Sequence, residues 1–129
     1  MKRRGRRKKK WSPERAVVGS LDRRGRAVVE AGPEGRPREV RVDGALAGED
    51  VEFLRADREG QLDIARTREV FTPAADRVEA RCPHYGVCGG CSLMHMEPGA
   101  QVAFKQGILL ADFEAHGVRP ERIFPPLFG

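Results

Sequence analysis

A chain of 129 residues that is 40% apolar and only 6% aromatic has material for one small, aliphatic core and little more. Its mean hydropathy of -0.53 and the lack of any apolar run near the roughly 18 residues of a membrane span exclude a transmembrane helix. No apolar stretch follows the basic N-terminus as a secretory signal requires, so a cytoplasmic protein without a membrane partner is expected.

The net charge of +5 is unevenly placed. Lys2, Arg3, Arg4, Arg6, Arg7, Lys8, Lys9 and Lys10 form a run without an acid. With those eight set aside, sixteen basic residues face nineteen acidic ones, and the body of the chain is slightly acidic. Residues 1–11 therefore read as a basic tail that repels itself, cannot bury apolar surface and is disordered when free. Its cations suit sequence-blind, salt-sensitive contact with nucleic acid phosphates; the plainer reading is a solvated tail that aids solubility.

From residue 12 to 72 the chain reads as short strands with turns between them. A β-branched run at 15–21 is followed by the turn Asp22-Arg23-Arg24-Gly25, and a second run at 26–31 ends at Gly32-Pro33. Residues 38–42 alternate charge with valine. Residues 50–56 place Val51 and Phe53 on one face, and residues 61–70 place Leu62 and Ile64 on one face with charges on the other. Alternation in short, evenly spaced runs predicts a half-buried antiparallel sheet. Five strands in so short a stretch suit a small OB-like barrel, which leaves no unpaired edge and is a common RNA platform. Barrels of this kind also serve protein contacts, so a protein-interaction module is a competing reading. Arg23, Arg24 and Arg26 at the first turn are the candidate RNA-binding residues, against the alternative that turn arginines are merely solvated.

Residues 73–97 follow as a connector and an irregular, cysteine-rich loop, in which Pro83, Gly86, Gly89 and Gly90 prevent regular structure. Residues 98–116 predict a helix, with Pro98 in its first turn, Phe104, Ile108, Ala111 and Ala115 along one face, and Gly117 as its stop. His116 reads as a capping or surface residue. The proline-rich segment 119–129, with its Phe and Leu residues, reads as a chain that stops where another domain begins.

All three cysteines, Cys82, Cys88 and Cys91, fall within ten residues, spaced C-x5-C-x2-C. An odd, clustered set argues for metal rather than a disulfide framework. The spacing fits an iron–sulfur site one ligand short, with Gly89 and Gly90 free to bring N–H groups to sulfur. It fits equally a structural zinc site of Cys82, Cys88, Cys91 and His95. A nucleophilic cysteine needs a positioned base and a pocket, and three crowded thiols are better explained by coordination; no catalytic residue is assigned.

The segment CPHYGVCGGCSLMH, residues 82–95, resembles the cluster-binding motif of bacterial iron–sulfur 23S rRNA (uracil-5-)-methyltransferases, of general form C-P-x-(F/Y)-x-x-C-G-G-C-x-x-Q-H. Residues 21–27 and 44–51 resemble two signature stretches of the TRAM domain, the five-stranded RNA-binding barrel that precedes the cluster in that family. Gln101 and Lys105 match a downstream Gln-Leu-x-x-Lys region. The resemblance implies that Cys82, Cys88 and Cys91 are three ligands of a 4Fe–4S cluster whose fourth cysteine lies further along the family's sequence. Where the family has Gln, this chain has Met94, and any hydrogen bond made by that Gln is lost. The family transfers a methyl group from S-adenosylmethionine to uracil C5, using a cysteine that adds at C6 and a general base. Neither a cofactor-binding loop nor a spare cysteine is present. The expectation is therefore a monomeric N-terminal portion that binds RNA, 23S rRNA by resemblance, holds the cluster ligands, and is inactive alone. Its parts would be a tail at 1–11, a TRAM barrel at 12–72, the iron–sulfur loop at 73–97, and a helix leading into a missing methyltransferase region at 98–129. The alternative is a stand-alone nucleic-acid-binding protein with a Cys3His zinc site.

Overall fold

The computed structural model describes residues 12–29 and 39–127; the basic tail and the end of the second run, at Gly32-Pro33, lie outside them. The described residues form six strands and one helix: β1 (Glu14–Val17), β2 (Ser20–Leu21), β3 (Ala27–Val28), β4 (Val40–Asp43), β5 (Asp50–Glu59), β6 (Leu62–Thr72) and α1 (Pro98–Ala115). The count differs from the expected five because the first β-branched run breaks at residues 18–19. There the backbone leaves one sheet edge for the other: Val18 N–H donates to the Glu49 carbonyl at 2.8 Å and Gly19 N–H to the Val28 carbonyl at 3.1 Å.

The sheet order is β1-β5-β6-β4-β3-β2. All neighbours are antiparallel except β4 and β6, which run parallel with Val40 opposite Asp63. The edge strands β1 and β2 are joined by only two residues, so a flat sheet is impossible and the six strands curl into a barrel-like half-cylinder. Register shifts along the β5–β6 hairpin, including one between Arg55 and Asp57, supply the local bends such curvature needs.

The concave side is filled by small aliphatic residues: Val18, Ala27, Val29, Val40, Val42, Ala45, Val51 and Ala65, with Phe53 the single aromatic among them. The alternation read at Val40, Val42, Val51 and Phe53 is the observed one. On β6 it is inverted. Asp63 and Ala65 are buried, whereas Leu62 and Ile64 are half-buried on the other face. The reason is ionic. Arg55, 1% exposed, continues the inward face of β5. Its Nε donates to Glu14 Oε2 at 2.7 Å and its Nη1 to Asp63 Oδ2 at 2.9 Å. Burying a guanidinium is tolerable only with such partners, and that pairing sets which face of β6 points in.

α1 begins where expected. Pro98 sits in the first turn, the Glu97 side chain caps it by accepting the Ala100 N–H, and Gly117 adopts φ 69 just beyond the His116 C-cap. None of its eighteen residues is buried. Phe104 and Ile108 of the expected apolar face are half-buried, but Ala111 and Ala115 are exposed.

Candidate functional site: the cysteine loop and its seat on the barrel

The cysteine loop is held to the barrel at three levels. First, residues 76–78 pair with residues 95–97: Val78 N–H donates to the His95 carbonyl at 2.9 Å and Glu97 N–H to the Asp76 carbonyl at 2.8 Å. Second, the Glu49 carboxylate, fully buried, accepts the Leu46 N–H at 2.6 Å, the Ala74 N–H at 3.0 Å and both Arg77 Nε and Nη2, at 2.6 and 2.7 Å. Burial pushes the Glu49 pKa up, but the Arg77 and backbone donors outweigh it and hold the carboxyl below its ordinary range.

The third level is His95. Its Nε2 lies 3.3 Å from the Ala45 carbonyl of the barrel and its Nδ1 bonds the Tyr85 hydroxyl. With Nε2–H donating to the Ala45 carbonyl, a neutral imidazole presents Nδ1 as an acceptor to the Tyr85 hydroxyl, whose oxygen also lies 3.2 Å from the Ser92 carbonyl. The two rings stack with centroids 5.6 Å apart. Tyr85 sits between Cys82 and Cys88, so one histidine links the loop's interior to the barrel. Burial lowers the His95 pKa, and the nearby positive Arg77 adds to this.

Within the loop, Cys88 N–H donates to the His84 carbonyl at 2.9 Å and Tyr85 N–H to the Cys82 carbonyl at 3.2 Å, giving tight turns, and Gly86 and Gly89 take positive φ. Met94, standing where Gln was expected, is not idle: its Sδ lies 3.4 Å from the Cys82 backbone nitrogen and supplies a weak acceptor there. All three thiols are free; Cys82 is half-buried, and Cys88 and Cys91 are exposed.

Among the described residues, no group of three or more His, Cys, Asp or Glu side chains is gathered to hold a metal. As a donor set, three free thiols on a glycine-containing loop still fit a soft-metal centre that takes a further ligand from elsewhere. The Cys3His set fits less well, because both ring nitrogens of His95 are engaged, one by the barrel and one by Tyr85.

The three candidate arginines lie on one turn but in unlike settings. The Asp22 carboxylate shapes that turn by accepting the N–H groups of Arg24 and Arg26, at 2.9 and 3.0 Å. Arg23 forks onto Asp112 of α1 at 2.8 and 2.6 Å, and Arg24 reaches Glu59 at 2.9 Å. Both are largely exposed. Arg26, whose side chain is 14% exposed, is held between Asp22 at 3.0 Å and Glu59 at 3.1 Å. Exposed pairs of the first kind are weak, whereas Arg26 reads as a brace for the turn.

Between this turn, β4, β6 and the cysteine loop lies a cleft of about 490 Å³. Arg24, Arg66 and Arg77 line it with Asp43, Tyr85 and Cys91. Burial raises the Asp43 pKa against the pull of Arg26 and Arg66. Arg66 and Arg77 carry no local signal that marks them as cleft residues. Their convergence depends on the parallel β4–β6 pairing and on the fold-back of residues 76–78.

No family model matches the chain. It is similar to several curated proteins, each described as a 23S rRNA (uracil(1939)-C(5))-methyltransferase RlmD. That of Bordetella avium is 50% identical over 91 residues, 70% of this chain and 19% of the relative. That of Dechloromonas aromatica is 43% identical over 113 residues, 87% of this chain and 25% of the relative. That of Alkalilimnicola ehrlichii is 42% identical over 128 residues, 97% of this chain and 28% of the relative. The chain thus spans about a quarter of the length of the curated relatives it matches over most of itself.

Proposed function

The chain is a homologue of bacterial 23S rRNA (uracil(1939)-C(5))-methyltransferases along nearly its whole length, and on that premise we propose that it is the RNA-gripping and cluster-ligating portion of such an enzyme. The observation that carries this reading is the seating of the cysteine loop. Tyr85 and His95 clamp it to the barrel beside an arginine-lined cleft, so one body presents cations and thiols together. Methyl transfer from S-adenosylmethionine to uracil C5 then belongs to the part of the relatives that this chain does not span.

In this reading Cys82, Cys88 and Cys91 are three thiolate ligands of a 4Fe–4S cluster, the fourth coming from the unspanned part. The bound cluster supplies a rigid cross-link between distant segments, and no redox step is assigned to it. This chain's residues do the placing: His95 and Tyr85 hold the loop's register, and Met94 holds the Cys82 backbone. The barrel is a TRAM-type RNA platform. Arg23 and Arg24 exchange their carboxylate partners for phosphate, Arg66 adds a cation across the cleft, and Arg26 keeps the turn in shape.

Two measurements test this. Binding of a 23S rRNA fragment to the chain is titrated with salt. Arg24→Ala with Arg66→Ala is expected to flatten the slope of log affinity against log salt by about 0.7 for each phosphate that is no longer neutralised on single-stranded RNA; an unchanged slope removes both from the RNA face. For the metal, the chain is fused in place of the matched 128 residues of the Alkalilimnicola ehrlichii relative and purified anaerobically. Iron with acid-labile sulfide supports the cluster; a colourless protein with one zinc overturns it.

A further inference from the structure

We propose that the outer face of α1, together with residues 123–127, is the seat of an apolar surface belonging to the part of the methyltransferase that this chain does not span. The proposal rests on the functional reading above. α1 has two unlike faces. The inner one carries Ala100 and Phe104, which share a crevice with Leu21, Leu46 and Met96 of the barrel side, and Asp112, which takes the Arg23 fork. The outer one carries Val102, Leu109, Leu110 and Phe113, spaced as one stripe of a helix. These residues line a groove of about 510 Å³ whose far wall is Ile123, Phe124 and Leu127.

That groove is open. Leu109 is 50% exposed, Phe124 73% and Leu127 96%. Contiguous apolar surface of this kind on a small body marks an interface. Its chemistry points to protein and away from RNA. Lys105 is the single charged residue on its lining, with the Arg122 guanidinium 5.9 Å from the Phe124 ring centre at one end, whereas Arg24, Arg66 and Arg77 converge on the cleft by the cysteine loop. The occupant follows from the relatives: roughly three quarters of their length lies outside the matched region, and α1, without one buried residue, is a helix whose second packing partner is not among the residues described.

The test uses the chimera described above, compared with this chain alone, by hydroxyl-radical footprinting of side chains. Leu109, Leu110 and Phe113 are expected to be modified severalfold more slowly in the chimera, while Val17, exposed on β1, is unchanged. Equal modification in both overturns the proposal. So does a dimer of this chain in sedimentation velocity that protects the same three residues, since a second copy would then be the occupant. Methylation of 23S rRNA by the chimera is read separately. Methylation without protection defeats the docking face and leaves the functional reading; protection without methylation does the reverse. If the chimera is insoluble, the footprint is read on this chain co-expressed with the unmatched portion, and a pair that does not copurify overturns the proposal.

Discussion

The barrel and the segment that follows it solve the problem of a small, aromatic-poor chain in opposite ways. The half-barrel lines its own concave core: Val18, Val40, Val42, Val51 and Phe53 are buried together, and a charged triad of Arg55, Glu14 and Asp63 is buried with them. The cysteine loop and α1 bury almost nothing of their own beyond His95 and Met96, and they depend on a few polar joints to the barrel. Most of the buried apolar packing therefore belongs to the strands, while the loop and helix rest on their joints to them. Stability should respond accordingly: large losses inside the barrel, moderate ones at the joints, and small ones on the outer helix.

The largest effect should come from the triad. Arg55→Leu puts an apolar side chain in its place and removes the guanidinium that pairs with the buried Glu14 and Asp63 carboxylates, and removing one member of such a network costs about 3–5 kcal/mol. As the reference for that contrast, Leu109→Ala on the open face of α1 should change stability by about 0.5 kcal/mol or less. Urea unfolding followed by circular dichroism checks both. Equal losses at the two sites would erase the contrast between barrel and helix.

The joints come next, and pH separates them. His95 is held neutral, its pKa lowered mainly by burial. The unfolded state thus binds more protons just below the ordinary imidazole value of 6.5. The joint's contribution is complete above that pH and fades as pH falls through the lowered folded value. Glu49 is also lowered, so its contribution is complete above the ordinary carboxylate value of 4.5 and fades only in stronger acid. The protection of residues 84–92 against hydrogen exchange, taken relative to the intrinsic rate at each pH, should therefore fall as pH drops below 6.5, before the barrel loosens. His95→Phe, which leaves the Ala45 carbonyl without its donor and the Tyr85 hydroxyl with the Ser92 carbonyl 3.2 Å away, should cost about 1–3 kcal/mol and abolish that first step. A loop whose protection in His95→Phe, corrected for the intrinsic rate, still changes with pH in that range would show that another group carries the joint.

Legibility divides along the same line. Features fixed by local chemistry were readable: the turn at Gly25, the Val40/Val42 and Val51/Phe53 alternation, the start of α1 at Pro98 and its stop at Gly117. Features that need a distant partner were not. The inward face of β6 is set by Arg55, so choosing Leu62 and Ile64 by hydrophobicity inverted it. The outer stripe of α1 was hidden because Phe104 and Ile108 already satisfied an apolar period. The site shows the same split. Spacing located the cysteine loop, yet the clamp joins His95 to Ala45 fifty residues earlier, and Arg23 meets Asp112 across eighty-nine. No local pattern specifies such pairs.

The smallest effect on the joints concerns Gly25, where turn and loop touch directly. It adopts φ 77, and a Cβ built there would stand 2.5 Å from Leu93 Cδ2. Gly25→Ala therefore combines two costs: a left-handed backbone, worth about 1 kcal/mol for a residue with a side chain, and a clash with the end of a flexible leucine that can turn aside. Leu93 lies between Cys91 and His95, so its displacement should be felt in the loop more than in the barrel. The double variant Gly25→Ala with Leu93→Ala separates the two costs, since removing the leucine leaves only backbone strain. A destabilisation smaller than the sum of the single variants, with loop exchange restored toward that of Leu93→Ala, would confirm that the barrel turn seats the cysteine loop by contact. Strict additivity would mean that turn and loop are neighbours without being coupled.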